Sequence, residues 1–146
     1  MSEIISKEAI VLQQASVTKE QAIRMAGNLL VQENAVENAY VDKMLERESI
    51  STTYIGNGVA IPHGTDAAKE NIRTSAISMI QYPDGVDFGN GNIAYVVFGI
   101  AGKDGEHLEI LSKIAVLCSE EENVLRLKDA ATKDEVLSLF EGADSI

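Results

Sequence analysis

Gly56-Asn57-Gly58-Val59-Ala60-Ile61-Pro62-His63-Gly64-Thr65 is the stretch on which the reading of this chain turns. It reads as a turn, a short apolar strand, and a histidine held between a proline and a glycine. Gly56 and Gly58 admit backbone angles and close approaches that other residues resist. Val59, Ala60 and Ile61 form a buried-strand run. Pro62 fixes its own φ and biases Ile61 towards an extended conformation. Gly64 sets no side chain beside the imidazole. A core histidine needs none of this; a histidine that must be aimed and openly approached needs most of it.

Upstream of this stretch, residues 9–13 have the composition of a short first strand. Thr18 with Gln21 three residues on is a capping-box pattern. Behind it Ala22, Met25, Ala26, Leu29 and Leu30 share one helical face, which predicts a helix over about 19–32. A second helix is expected over about 37–47, with Tyr40, Val41, Met44 and Leu45 as its apolar stripe. Arg47 falls in its last turn, where a cation suits the helix dipole. Ser49–Thr53 reads as a loop into the central stretch.

Downstream, Thr65 is placed to cap a helical turn over about 65–71. Residues 74–81 read as a strand, Tyr82-Pro83-Asp84-Gly85-Val86 as a turn, and Gly89-Asn90-Gly91 as a second reversal. Ile93–Ile100 has the strongest strand composition in the chain, so the two strands suggest a hairpin. A loop over 101–106 leads into a long helix, about 106–118. Ser119 and Thr132, each with a glutamate three residues on, predict two further helix starts. The last of these helices carries Val136, Leu137, Leu139 and Phe140 on its apolar side. Helices, hairpin-linked strands and helices again imply an α/β sandwich with a mixed sheet.

The totals bound the function. The chain has 146 residues and is expected to form one domain over 1–146. Its net charge of −11 argues against non-specific nucleic-acid binding and against anionic membrane surfaces. A protein partner with a basic face is compatible with it. The single cysteine, Cys118, forms no internal disulfide and lies on the apolar side of a helix. Met1–Glu8 lacks the basic start and apolar run of a signal peptide, and no apolar run approaches the ~20 residues of a membrane span. A cytoplasmic protein is the expectation.

Two histidines are present, His63 and His107. Each follows a glycine-containing loop, at a strand end or a helix start, where side chains are presented to ligands. His107 falls in the first turn of the long helix, where free N–H groups and the dipole favour an anion. Two histidines and one cysteine make no zinc pattern. There is no nucleophile elbow, no P-loop and no dinucleotide fingerprint, and no cofactor or metal is expected. Gly56-Asn57-Gly58 and Gly89-Asn90-Gly91 have the composition of a phosphate cradle, but such pairs are more often simply turns, and they are read as turns. What is left for an exposed, rigid histidine is nucleophilic catalysis. A neutral imidazole has a free lone pair and accepts a phosphoryl group, whose charge then needs nearby donors and cations. Arg47 is the best local cation. At an effective dielectric of ~20 and a separation of ~4 Å, a charge pair is worth roughly 4 kcal/mol before desolvation.

These residues carry a resemblance. Tyr54 through Thr65 is similar to the phosphorylation-site segment of enzyme IIA proteins of the mannitol/fructose class, components of the bacterial phosphoenolpyruvate-dependent sugar phosphotransferase system. The likeness extends to Met44-Leu45-Glu46-Arg47-Glu48, to Gln81-Tyr82-Pro83-Asp84-Gly85-Val86 with Phe88-Gly89, and to Glu106-His107. It implies a mixed sheet with helices on both faces. It implies that His63 accepts a phosphoryl group from the histidine phosphocarrier protein HPr and passes it to a cysteine of enzyme IIB. It makes His107 the second active-site histidine, which stabilises the phosphorylated state, and Arg47 the arginine beside the phosphoryl group. The segments around Arg47 and Tyr82 resemble mannitol-type members more than fructose-type ones. Asn57 departs from the acidic residue that some mannitol members carry there. The competing readings are a nitrogen-type regulatory enzyme IIA, a fructose-specific one, and a hydrolase or structural domain with incidental histidines.

Overall fold

The most strand-like segment lies at the centre of the molecule. Ile93–Ala101 pairs on both sides, and its side chains alternate between two cores. From Val96 onward, Val96, Phe98 and Ile100 point to one, and Val97 and Ala101 to the other. The computed structural model describes residues 4–143. The strands are β1 (Ile10–Val11), β2 (Tyr54–Gly56), β3 (Val59–Ala60), β4 (Ala76–Asp87) and β5 (Ile93–Ala101). They form one five-stranded sheet in the order β1-β4-β5-β3-β2. β1 runs parallel to β4 and β3 parallel to β5, while β4–β5 and β2–β3 are antiparallel. Helices α1 (Lys19–Gln32) and α2 (Ala39–Ile50) supply the core on one face. The other face is covered by α3 (Glu106–Ser119), α4 (Glu121–Asp129) and α5 (Lys133–Ala143). The expected mixed-sheet sandwich is what forms.

Local chemistry explains where elements begin and end. The Thr18 hydroxyl accepts from the Gln21 N–H, and the Gln21 side chain accepts from the Thr18 N–H, so the expected capping box is complete. The expected first strand, 9–13, contracts to β1. Ala9 ends a 3-10 turn and Gln13 takes a left-handed φ of 52° that turns the chain aside. α2 runs to Ile50, three residues past its expected end, and takes Ser49 and Ile50 from the expected loop. The Ser49 hydroxyl donates to the Glu46 carbonyl at 2.6 Å and keeps the turn helical.

The turn expected at Tyr82–Val86 is not a reversal. β4 continues through it to Asp87, and the register with β5 shifts between Gln81 and Val86. Pro83 has no N–H for the ladder and bulges out with Asp84, both exposed. The hairpin closes at the second signal instead, where Phe88 N–H donates to the Asn92 carbonyl at 2.8 Å. Ser119 ends α3, donating to the Val116 carbonyl, and does not cap α4. Thr132 does cap α5, accepting from the Glu135 N–H at 3.3 Å. The expected turn after Thr65 is a 3-10 helix, Asp66–Asn71, which Thr65 precedes without a side-chain cap bond. Of the Met1–Glu8 segment, Met1–Glu3 lies outside the described residues.

Candidate functional site

β3 and β5 run parallel, so their C-terminal ends open on one edge of the sheet. Side chains just beyond such ends line the crevice where ligands bind in open α/β sheets. His63 lies just past β3, and its backbone pairs with Ile100 as an extension of the β3–β5 ladder. Ile100 N–H donates to the Pro62 carbonyl at 3.0 Å. His107 lies in the first turn of α3, just after β5. The topology thus brings together the two histidines, which are 44 positions apart. Their ring centroids are 5.0 Å apart with the planes inclined by 58°.

The His63 ring is fixed through one of its nitrogens. Its Nδ1 lies 2.8 Å from the Ile61 carbonyl oxygen. A carbonyl only accepts, so Nδ1 carries the proton. In the neutral ring the Nε2 lone pair is then free. The residue is 7% exposed, so it is less open than its sequence setting suggests. Burial holds its proton affinity below the ordinary histidine range. The bond to Ile61 opposes that, His107 and Arg47 push it lower still, and Glu48 pulls it upward. His107 is half-buried and is also shifted down, chiefly by burial; Asp66 opposes this, and Lys69 and Arg47 add to it. Arg47 therefore acts electrostatically on both rings. Its guanidinium also donates to the Ser51 carbonyl at 2.8 Å, so it closes its own helix end as well as charging the site.

The reason for Gly64 differs from the expected one. A Cβ at Gly64 would lie 2.5 Å from Cε1 of Tyr40, so the bare position lets an aromatic ring seat against the backbone. The Tyr40 hydroxyl accepts from the Gly64 N–H at 2.9 Å and donates to the Ile100 carbonyl at 2.7 Å. It therefore joins the segment carrying His63 to β5. Burial pushes its pKa up to about 12, which keeps the phenol protonated for both bonds. Gly102 does the same service for His107: a Cβ there would meet the His107 Cα at 2.4 Å. In the sequence Tyr40 is marked only as part of an apolar stripe. Nothing in its spacing marks the hydroxyl as a tie to the histidine segment.

A cavity of about 380 Å³ opens beside His107, with Tyr40, Thr65, Lys69 and Lys103 in its lining. The Thr65 hydroxyl is buried there without a partner. Among the described residues, no three His, Cys, Asp or Glu side chains cluster closely enough to hold a metal ion. Asn57 is turned to another task, donating to the Cys118 carbonyl at the end of α3. Cys118 is buried, and its thiol is pushed up to about 12, so it stays protonated. A neutral imidazole with its lone pair on Nε2, beside a second imidazole and within the field of a guanidinium, has the composition of an acceptor for a compact anion.

Residues 3–143 match the family described as "Phosphoenolpyruvate-dependent sugar phosphotransferase system, EIIA 2". The chain belongs to this family. As an enzyme IIA component it acts as a phosphotransferase. A mannitol-specific phosphotransferase enzyme IIA component from Geobacillus stearothermophilus is 57% identical over 137 residues, spanning 94% of each chain. Among solved structures, enzyme IIA of the Escherichia coli mannitol system, in complex with phosphorylated enzyme IIB, superposes with a TM-score of 0.88 at 39% identity. That match covers 94% of this chain and 96% of the other. The nitrogen regulatory protein IIA-Ntr from Neisseria meningitidis superposes with a TM-score of 0.82 at 30% identity, over 94% and 97% of the two chains. The shared enzyme IIA fold thus spans mannitol-specific components and a nitrogen regulatory protein, and this chain shares more of its sequence with these two mannitol proteins than with that regulator.

Proposed function

We propose that this chain is the enzyme IIA phosphocarrier of a mannitol phosphotransferase system, acting as one domain over 1–146. In this reading His63 accepts a phosphoryl group from phospho-HPr and hands it to a cysteine of enzyme IIB. The observation that carries it is the His63 Nδ1–Ile61 carbonyl bond, which leaves Nε2 as the nucleophilic nitrogen beside His107 and Arg47. The relatives at 57% and 39% identity are named for mannitol, which supports the choice of sugar system. The relay starts from phosphoenolpyruvate and runs in the cytoplasm. No helix among the described residues is long and apolar enough to cross a membrane.

The chemistry is a pair of displacements at phosphorus. In the first, the nitrogen–phosphorus bond of the donor histidine breaks as the bond from His63 Nε2 forms. The proton stays on Nδ1, donated to the Ile61 carbonyl, throughout, and the ring becomes a phosphohistidine. In the second, a cysteine thiolate of enzyme IIB takes the phosphoryl group. The Nε2–phosphorus bond breaks and its electron pair returns to the ring. Transfer of this kind needs positioning and charge stabilisation more than covalent help. His107 and Arg47 supply the charge stabilisation.

The test is the reconstituted relay from phosphoenolpyruvate through enzyme I and HPr to this chain, then to mannitol enzyme IIB. Wild type should label IIB. His107→Ala should still take up phosphate but pass it on more slowly, and unchanged onward transfer would remove His107 from its role. A chain that is phosphorylated but labels no mannitol IIB would favour the regulatory reading instead.

A further inference from the structure

Glu48 is the acid that the site leaves unexplained. It lies on α2 one residue after Arg47, yet its side chain is only 4% exposed. Tyr40, Met44 and Glu48 follow one another at four-residue spacing and are all buried, so a carboxylate occupies a core position of the helix. Burying a charge there costs free energy that needs compensation. One oxygen, Oε1, accepts from both the Thr53 N–H, at 3.0 Å, and the Thr53 hydroxyl. The other, Oε2, is buried without a hydrogen-bond partner, with the Lys19 ammonium 3.9 Å away.

The bonds continue from Thr53 to the histidine. Thr53 is itself buried, and its carbonyl accepts from the Ile61 N–H at 3.0 Å. The Ile61 carbonyl in turn accepts a hydrogen bond from the His63 Nδ1–H at 2.8 Å. Each link pins one residue from both sides: Thr53 between Glu48 and Ile61, and Ile61 between Thr53 and His63. β3 has only two paired residues, Val59 and Ala60, and its ladder with β5 resumes at Pro62, so this chain holds Ile61 in the gap between them.

We propose that Glu48 is a positioning residue for His63, holding the Ile61 carbonyl where it fixes the Nδ1–H tautomer and leaves Nε2 to react. The proposal rests on the reading of His63 as the phosphoryl acceptor. It is mechanical, not a proton relay: no proton moves along the chain. The negative charge of Glu48 also favours a proton on His63, against the burial that disfavours it.

Phosphate uptake from phospho-HPr and imidazole ¹⁵N shifts of His63 in the unphosphorylated protein test it together. Glu48→Ala should slow uptake about 10- to 100-fold, the scale of small misplacements, and should move the His63 shifts towards a mixture of tautomers. Glu48→Gln keeps an acceptor oxygen for Thr53 and should recover most of the rate and the wild-type shifts. If Glu48→Ala does not fold, Thr53→Val against Thr53→Ser decides in the same way, because only serine keeps the hydroxyl. Wild-type tautomer shifts in the folded variant, whatever its rate, would overturn the positioning role. His63→Ala serves as the control: if it is still phosphorylated, the acceptor assignment fails, and not the role of Glu48.

Discussion

At the residue scale the site comes down to one imidazole and the groups that set its proton. His63 carries its proton on Nδ1 because Ile61 offers only a carbonyl. Its proton affinity in the folded protein is depressed, chiefly by burial. The unfolded state therefore binds a proton more readily. Stability from this group is present above the unfolded pKa of about 6.5 and is lost as pH falls through the lower folded value. His63→Gln should consequently lose less stability than wild type between pH 7.5 and 5.5, measured by urea denaturation; an equal loss would mean the ring is not held neutral by its surroundings. Tyr40 offers a second residue-scale test. Tyr40→Phe leaves the Gly64 N–H and the Ile100 carbonyl without a buried partner and should cost about 1–3 kcal/mol. Tyr82→Phe is the comparison, since among the described residues the Tyr82 hydroxyl bonds only to the Met25 sulfur, at 3.6 Å. Equal costs would show that the Tyr40 bonds contribute little.

At the element scale the site depends on close approaches after β3 and β5. Gly64→Ala drives a Cβ into the Tyr40 ring and Gly102→Ala drives one into the His107 backbone. Backbone cannot move aside as a flexible side chain can, so Gly102→Ala should disturb His107 and slow onward transfer. Overpacking of this kind costs roughly 1–3 kcal/mol. A Gly102→Ala protein with wild-type melting temperature and transfer rate would show that the turn has room to spare. Elements with strong periodicity were legible from the chain: α1 with its capping box, α3, and the apolar strand β5. The turn at Tyr82–Val86 was misread because a bulge and a reversal use the same residues, and only the partner strand distinguishes them. The burial of Glu48 could have been found in its four-residue spacing from Tyr40 and Met44. The role of Tyr40 could not, since a buried hydroxyl leaves no mark on periodicity.

At the scale of the whole molecule, the histidines lie on the edge where the two layers meet. His63 is tied to the α1–α2 layer through Tyr40, and His107 opens the first helix of the α3–α5 layer. Their meeting follows from the strand order β1-β4-β5-β3-β2, which periodicity does not reveal; it was the family resemblance that joined them beforehand. The layers also carry stability apart from the site. Phe140 is fully buried and meets Phe98 edge-on at 5.7 Å between centroids. Phe140→Ala should cost about 3–5 kcal/mol, while the folded fraction still takes up phosphate to the wild-type stoichiometry. A folded Phe140→Ala protein unable to accept phosphate would tie the site to that core. The acceptor assignment itself has the most direct test. Incubated with phosphoenolpyruvate, enzyme I and HPr, wild type should gain a single phosphate of about 80 Da in intact-mass analysis, and His63→Ala, folded by circular dichroism, should gain none. Equal mass gain in the two proteins would contradict the assignment of His63.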